Sequence, residues 1–313
     1  MTHGRTRTLS DHQSERRRSH EIDSLTSSLP LRRRRRRKGC GIVRIGSVLA
    51  VLTLAPLPVA ATNIQWEPLT DGLAVSVWTP GSSCPAVPDL LAIDVDPDRA
   101  RFSIHYYADE KLTQPIPIDQ WQRLTGHPVL FNAGLFRENF SYLGLLYKDG
   151  RALGSRRHGT WQGLFAAEPV HKGLRKARVL DLAMESFDED RPPYREAAQS
   201  LMLLDSRRMI RVRRSGKEAY QTIVAETEAG HIVIMKSREV TSLYDLAQCL
   251  RDATPWVRQA MAMDGGSSSD VLVVESLWRD DRRTAGRVSW RALFGGKTSA
   301  HISLPTVIGV SPR

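Results

Sequence analysis

The 313-residue chain contains no internal repeat and, past residue 61, no low-complexity tract, which excludes stacked-repeat architectures. It has three cysteines, and only Cys84 and Cys249 lie beyond the leader described below. In an oxidising compartment these two could pair, or both could be buried free thiols, since a spacing of 165 positions carries no geometric information. The histidines at 105, 127, 158, 171, 231 and 301 show no H-E-x-x-H or similar ligand spacing, so no zinc site is expected. No G-x-S-x-G elbow surrounds any serine, and polar turn is the reading for Ser267, Ser268 and Ser269. Gly295-Gly296-Lys297-Thr298 resembles the end of a phosphate-binding loop, but Arg291 stands where its first glycine is required, and a nucleotide fold is excluded.

The chain's formal charge of +11 lies mostly at one end, with 13 of the 45 basic residues in residues 1–44 against 4 acids. The remaining 32 basic and 30 acidic residues leave residues 45–313 nearly neutral, so the basic isoelectric point does not mark a nucleic-acid-binding domain. After the run Arg32 to Arg37 comes an uncharged stretch, Ile45 to Ala61, too short and too interrupted by Pro56 and Pro58 to span a bilayer. With its positive flank and the small residues Val59-Ala60-Ala61, it is expected to be a signal peptide cleaved near Ala61. Residues 1–44 form a basic extension, disordered or preceding a true start at Val43, and 45–61 the signal core and cleavage region. Residues 62–313 form one domain, periplasmic or secreted, with no stable membrane span.

Within that domain, alternating or β-branched runs predict strands near Leu73–Trp78, Leu90–Val95, Phe102–Tyr107, Val129–Asn132, Leu143–Tyr147, Leu201–Asp205, Gln221–Ala225, His231–Lys236, Met261–Met263, Val271–Glu275 and Thr306–Val310. One helix is predicted at 242–253, where Leu243, Leu246, Ala247 and Leu250 share a face and Ser242 with Asp245 makes a capping-box-like start. A shorter helix follows Pro117. Strand and helix alternate too irregularly for a doubly wound sheet, and the expected class is α+β: a mixed, strand-rich sheet core with few helices.

Two segments place polar groups at strand ends. In Met263-Asp264-Gly265-Gly266-Ser267, glycines permit positive φ and close backbone approach, and successive amides in such a turn can hold an anion. Asp264 would aim a carboxylate into the same concavity. The competing reading is an Asp-Gly β-hairpin with a polar turn. In Leu130-Phe131-Asn132-Ala133-Gly134, Asn132 offers a donor and an acceptor suited to sugar hydroxyls or phosphate oxygens, unless it merely closes its own turn.

These segments resemble the phosphodiester glycosidase family. Asn132-Ala133-Gly134-Leu135-Phe136 resembles that family's Asn-(Gly/Ala)-Gly-x-Phe motif, and Leu143-Gly144-Leu145 through Asp149-Gly150-Arg151 the strand and turn after it. Ala198-Gln199-Ser200-Leu201-Met202-Leu203-Leu204 is similar to its Gln-Ser/Thr-Gly-Pro-x-Leu strand. The His231–Lys236 strand, the Tyr244–Leu250 helix and Met263 to Ser268 follow in the family's order, and the likeness covers residues 90–275. Two departures stand out. Leu201-Met202 replaces Gly-Pro, and Gln221-Thr222-Ile223-Val224-Ala225 replaces Arg-(Thr/Ser/Asn)-x-x-Gly, removing a fixed charge able to neutralise a phosphodiester. Arg137, Arg156 and Arg157 are the candidates to supply it instead.

The resemblance implies an exported hydrolase that cleaves a glycosidic bond to a phosphodiester. Asp264 would be the acid/base and Glu138 its partner carboxylate, while Asn132, Gly134, Thr222, Gly265, Gly266 and Ser267 would bind the sugar-phosphate. No cofactor is expected, with a calcium or magnesium ion on Asp264 and Asp270 as the variant reading. The partner is a sugar-phosphate or glycan and not a nucleic acid; nothing in the sequence sets the oligomeric state. The lost arginine favours an alternative, a catalytically silent glycan-binding or exopolysaccharide-associated envelope protein.

Overall fold

The structure, a computed structural model, describes residues 64–278 and 302–313. The leader and the Gly295–Thr298 segment lie outside those residues.

Eleven strands form one sheet. Its main path runs, every pair antiparallel, through Glu67–Thr70, Leu73–Trp78, Leu90–Val95, Ile232–Ser237, Thr222–Thr227, Val257–Ala262, Tyr194–Leu204, Leu146–Lys148 and Arg151–Ala152. Gly163–Pro169 joins it against the first half of Tyr194–Leu204 and carries Ala177–Asp181 on its other edge. A second, four-stranded sheet runs Val271–Val273, Val129–Asn132, Thr306–Pro312, Ala100–Tyr106.

Side-chain alternation along the strands assembles the layers. From the large sheet, Ile93, Val224, Ile234 and Met261 share a core with Phe102, Phe131, Ile308 and Val310 of the small one, so the two sheets pack face to face. The neighbouring residues Ala92, Ile223, Ala225, Val233 and Met235 point the other way, against Leu246, Ala247 and Leu250 of the helix Leu243–Ala253. The helix Ile118–Thr125 covers the outer face of the small sheet, with Trp121 against Leu130 and Val307. The result is helix, sheet, sheet, helix, the strand-rich α+β class expected.

Both predicted helices begin where expected, one directly after Pro117 and the other after its cap Ser242. Ser242 Oγ accepts the Asp245 amide at 3.1 Å and donates to the Asp245 carboxylate at 2.6 Å. At the other end of that helix the Arg208 guanidinium donates to the carbonyls of Leu250, Arg251, Thr254 and Val257, placing a cation on the negative end of the helix dipole. Cys84 and Cys249 do pair, with Cα atoms 5.5 Å apart, tying the loop after Leu73–Trp78 to this helix.

Candidate active site

The Asp-Gly turn is not a hairpin. The strand entering it, Val257–Ala262, lies in the large sheet, and the strand leaving it, Val271–Val273, pairs with Val129–Asn132 in the small one. Residues 264–270 therefore carry the chain from one sheet to the other, and Asn132 clamps both ends of the crossing. Its Nδ2 donates to the carbonyls of Asp264 at 2.8 Å and Ala133 at 3.1 Å, while its Oδ1 accepts the Asp270 amide at 3.0 Å. The Asp264 amide in turn donates to Ala133 O at 3.1 Å. Two strand ends 132 residues apart are thus brought together, and the amide expected to bind ligand is spent on holding them.

Asp264 faces a cleft of about 440 Å³ lined also by Gly265, Gln221, Trp161, Arg213 and Lys217. Burial pushes its carboxyl up to about 6, against hydrogen bonds from the Ser268 hydroxyl and the Gly265 amide that pull it down. The Gly265 amide so engaged and the Gly266 amide, which donates to Tyr220 O at 2.8 Å, are not free to hold an anion, contrary to the expectation for this turn. Gly265 is needed for close approach: a Cβ there would stand 2.9 Å from Gln221 Oε1 and 3.0 Å from Tyr220 O. Gly266 adopts φ +67°, which an L side chain resists. Behind the turn, Lys236 Nζ donates to Ser269 O at 2.5 Å; burial pulls its pKa down, opposed by the charge of Asp270.

The other expected site residues divide between core and surface. Thr222 is buried and its hydroxyl bonds the Ser269 hydroxyl at 2.8 Å. Gly134 is a packing glycine, since a Cβ there would come within 2.3 Å of Tyr142 Oη and 2.5 Å of Gln199 O. Ser267 is exposed on the turn, and Glu138 is exposed near residue 140, outside the cleft. Asp264 is the one carboxylate among the described cleft residues, so the pairing of Asp264 with Glu138 is not found. None of Arg137, Arg156 and Arg157 lines the cleft either; Arg157 is turned to the Leu182 carbonyl and Arg137 to Ser141. Among the described residues, no group of three or more His, Cys, Asp or Glu is placed to hold a metal ion.

Trp161, Arg213 and Lys217 are cleft residues that the motifs did not reveal, although the cation-rich segment Arg207 to Lys217 marks two of them. Trp161 is positioned by Gln199, which is fully buried and makes four bonds. Gln199 Oε1 accepts the amides of Leu145 at 3.0 Å and His158 at 2.9 Å, and its Nε2 donates to the carbonyls of His158 at 2.9 Å and Trp161 at 2.5 Å. The loop so fixed stacks the His158 ring on the Trp161 indole at 3.8 Å, and Trp161 lines the cleft.

A strand-rich sandwich whose crossing turn carries a half-buried carboxyl of raised pKa into an open cleft offers one candidate acid/base group. The chain belongs to the phosphodiester glycosidase family, which it matches over residues 126–310. Solved structures agree in fold. A hypothetical protein from Synechocystis superposes with a TM-score of 0.53 at 13% identity, covering 81% of this chain and 64% of that one. The catalytic domain of zebrafish N-acetylglucosamine-1-phosphodiester alpha-N-acetylglucosaminidase, auto-inhibited by its pro-peptide, superposes with a TM-score of 0.52 at 14% identity, covering 80% of this chain and 84% of that one. The chain thus spans just under two thirds of the Synechocystis protein's length. A comparison with curated protein sequences returns no match.

Proposed function

We propose that the protein hydrolyses the bond between the anomeric carbon of a sugar and a phosphodiester, with Asp264 as general base. The observation that carries this reading is the Asp264 carboxyl itself, held near a pKa of about 6 in the cleft of a phosphodiester glycosidase family member. Such a group is ionised at neutral pH and still basic enough to take a proton from water. Most glycosidases need a second carboxylic acid to protonate the departing oxygen. A departing phosphate monoester, whose conjugate acid has a pKa of about 6, is a far better leaving group than a sugar alcohol and can leave unprotonated, so a single carboxylate suffices. Water attacks the anomeric carbon, its proton passes to Asp264, and the electrons of the C–O bond go to the phosphate oxygen. The products are the free sugar and a phosphate monoester, and Asp264 returns its proton to solvent. Trp161 offers the apolar face of the sugar a wall to pack against.

A base acts in its ionised form, so kcat on a glycosyl phosphodiester should rise through about pH 6 and level off above it. Initial rates between about pH 4 and about pH 8 check this; a rate that falls through that range would make Asp264 an acid and overturn the assignment. The neutral Gln221 at the family's arginine position keeps a second reading alive, a glycan-binding envelope protein without activity. Saturable glycan binding with no turnover of any sugar-1-phosphodiester would select it.

Export belongs to the same proposal. It is supported by the positively flanked apolar stretch at 45–61 and by the Cys84–Cys249 disulfide, a bond that persists in oxidising compartments. The protein isolated from its host should begin near Thr62 and lie in the periplasm or medium; recovery of an intact leader from the cytosol would refute this.

A further inference from the structure

A charge inventory of the cleft exposes a problem and its solution. A phosphodiester brings one negative charge, and Asp264, ionised as the base, already places another of the same sign beside it. Gln221 adds none, its Nε2 being committed to the Thr241 carbonyl at 3.1 Å. The compensating charge must come from another part of the wall.

The segment Arg207 to Lys217 holds six cations and no acid. Arg208 is consumed by the carbonyls at the end of the Leu243–Ala253 helix, and Arg214 lies over the Tyr244 ring at 4.7 Å. Arg211 lines the cleft but is neutralised by Asp181 and by Asp205, the latter at 3.3 Å. Arg213 and Lys217 line the cleft, are exposed, and have no ion pair among the described residues. The strap that carries them is anchored on both sides. At one end the Arg211 amide donates to Leu203 O at 2.8 Å and its guanidinium bridges the two aspartates; at the other, Glu218–Ala219 pairs with Thr241–Ser242. Anchored ends hold the two cations at the cleft without ion-pairing them to anything in it.

We propose that Arg213 and Lys217 form the phosphate subsite of this cleft, taking over the charge that Gln221 lacks. Two cations balance the ionised Asp264 and a monoanionic phosphodiester together. As the C–O bond breaks, the departing phosphate gains a second negative charge, so the pair favours the transition state over bound substrate. The same pair would hold a phosphate monoester, the dianionic product, more tightly than the substrate. This assignment rests on the proposed function for its catalytic consequence, though phosphate binding can be measured without turnover.

The test compares the wild-type protein with the double variant R213Q/K217Q and with R207Q, an exposed cation of the same segment that does not line the cleft. Inorganic phosphate is titrated by calorimetry or NMR at low ionic strength, and kcat/KM is measured on a glycosyl phosphodiester and on a neutral aryl glycoside of the same sugar. The double variant should lose about ten- to hundredfold in phosphate affinity and in kcat/KM on the phosphodiester, with R207Q near wild type. Turnover of the neutral glycoside, where measurable, should not change. Undiminished phosphate affinity in R213Q/K217Q overturns the subsite, as does an equal loss in R207Q, which would make the effect a general field of the segment. A protein that binds phosphate through these residues yet turns over no phosphodiester would leave the subsite standing and sink the hydrolase.

Discussion

Replacing Asp264 by asparagine should lower kcat on a glycosyl phosphodiester by roughly 10²- to 10⁴-fold, the range for loss of a positioned general base. The structure makes this a discriminating substitution because the carboxylate charge does not stabilise the fold. Burial opposes that charge, as the pKa pushed up to about 6 shows, and the main-chain bonds at 264 run through its amide and carbonyl. Removing a negative charge from a cleft that admits an anion should keep or improve binding, so D264N should show an unchanged or lower KM and an unchanged or higher Tm. Full hydrolytic activity in D264N would dismiss Asp264 as the base. A large drop in Tm alongside the lost rate would recast it as structural.

Asn132→Asp should produce the opposite pattern, stability failing first. The substitution preserves shape and the acceptor for the Asp270 amide, but it replaces Nδ2, which serves two carbonyls, with an oxygen directed at both. Asn132 is buried, with 1% exposure, so water cannot make up the loss. The Ala133 carbonyl keeps the Asp264 amide, so the Asp264 carbonyl is the one that loses its partner, and the variant should be destabilised by about 1–3 kcal/mol, read from urea or thermal unfolding. Activity should fall as well, because the Asp264 carbonyl is the one released. A variant as stable as the wild type would contradict the clamp, and one that is stable but unable to bind phosphate or sugar would return Asn132 to a ligand-binding role.

Much of the fold could be read from local pattern. Leu73–Trp78, Leu90–Val95 and Val129–Asn132 appear as strands over the expected residues because β-branched and large apolar side chains dominate them. Gly163–Pro169 and Ala177–Asp181 were not legible. The first carries glycine and two alanines, poor strand formers, and is a strand because Tyr194–Leu204 and Ala177–Asp181 supply hydrogen bonds on both its edges. Gly163 is admitted there by proximity, since a Cβ would lie 2.9 Å from Met261 Cβ. By contrast Thr222–Thr227, expected near Gln221–Ala225, is legible from its β-branched Thr222, Ile223 and Val224 although it is buried at every position between a helix layer and a sheet layer.

The candidate site divides along the same line. The α+β class and the capped helix follow from side-chain type and short-range spacing, and the motifs that resemble the family stand in the sequence itself, which the chain carries wherever it folds. Tertiary structure alone decided that Asn132 clamps where it was expected to bind, that Glu138 stands outside the cleft, that Cys84 meets Cys249, and that Arg213 and Lys217 enter the cleft while Arg137 does not. Each of these depends on which distant segments become neighbours when two sheets stack. That outcome is set by the summed burial of many apolar side chains and leaves no local signature at the residues whose roles it assigns.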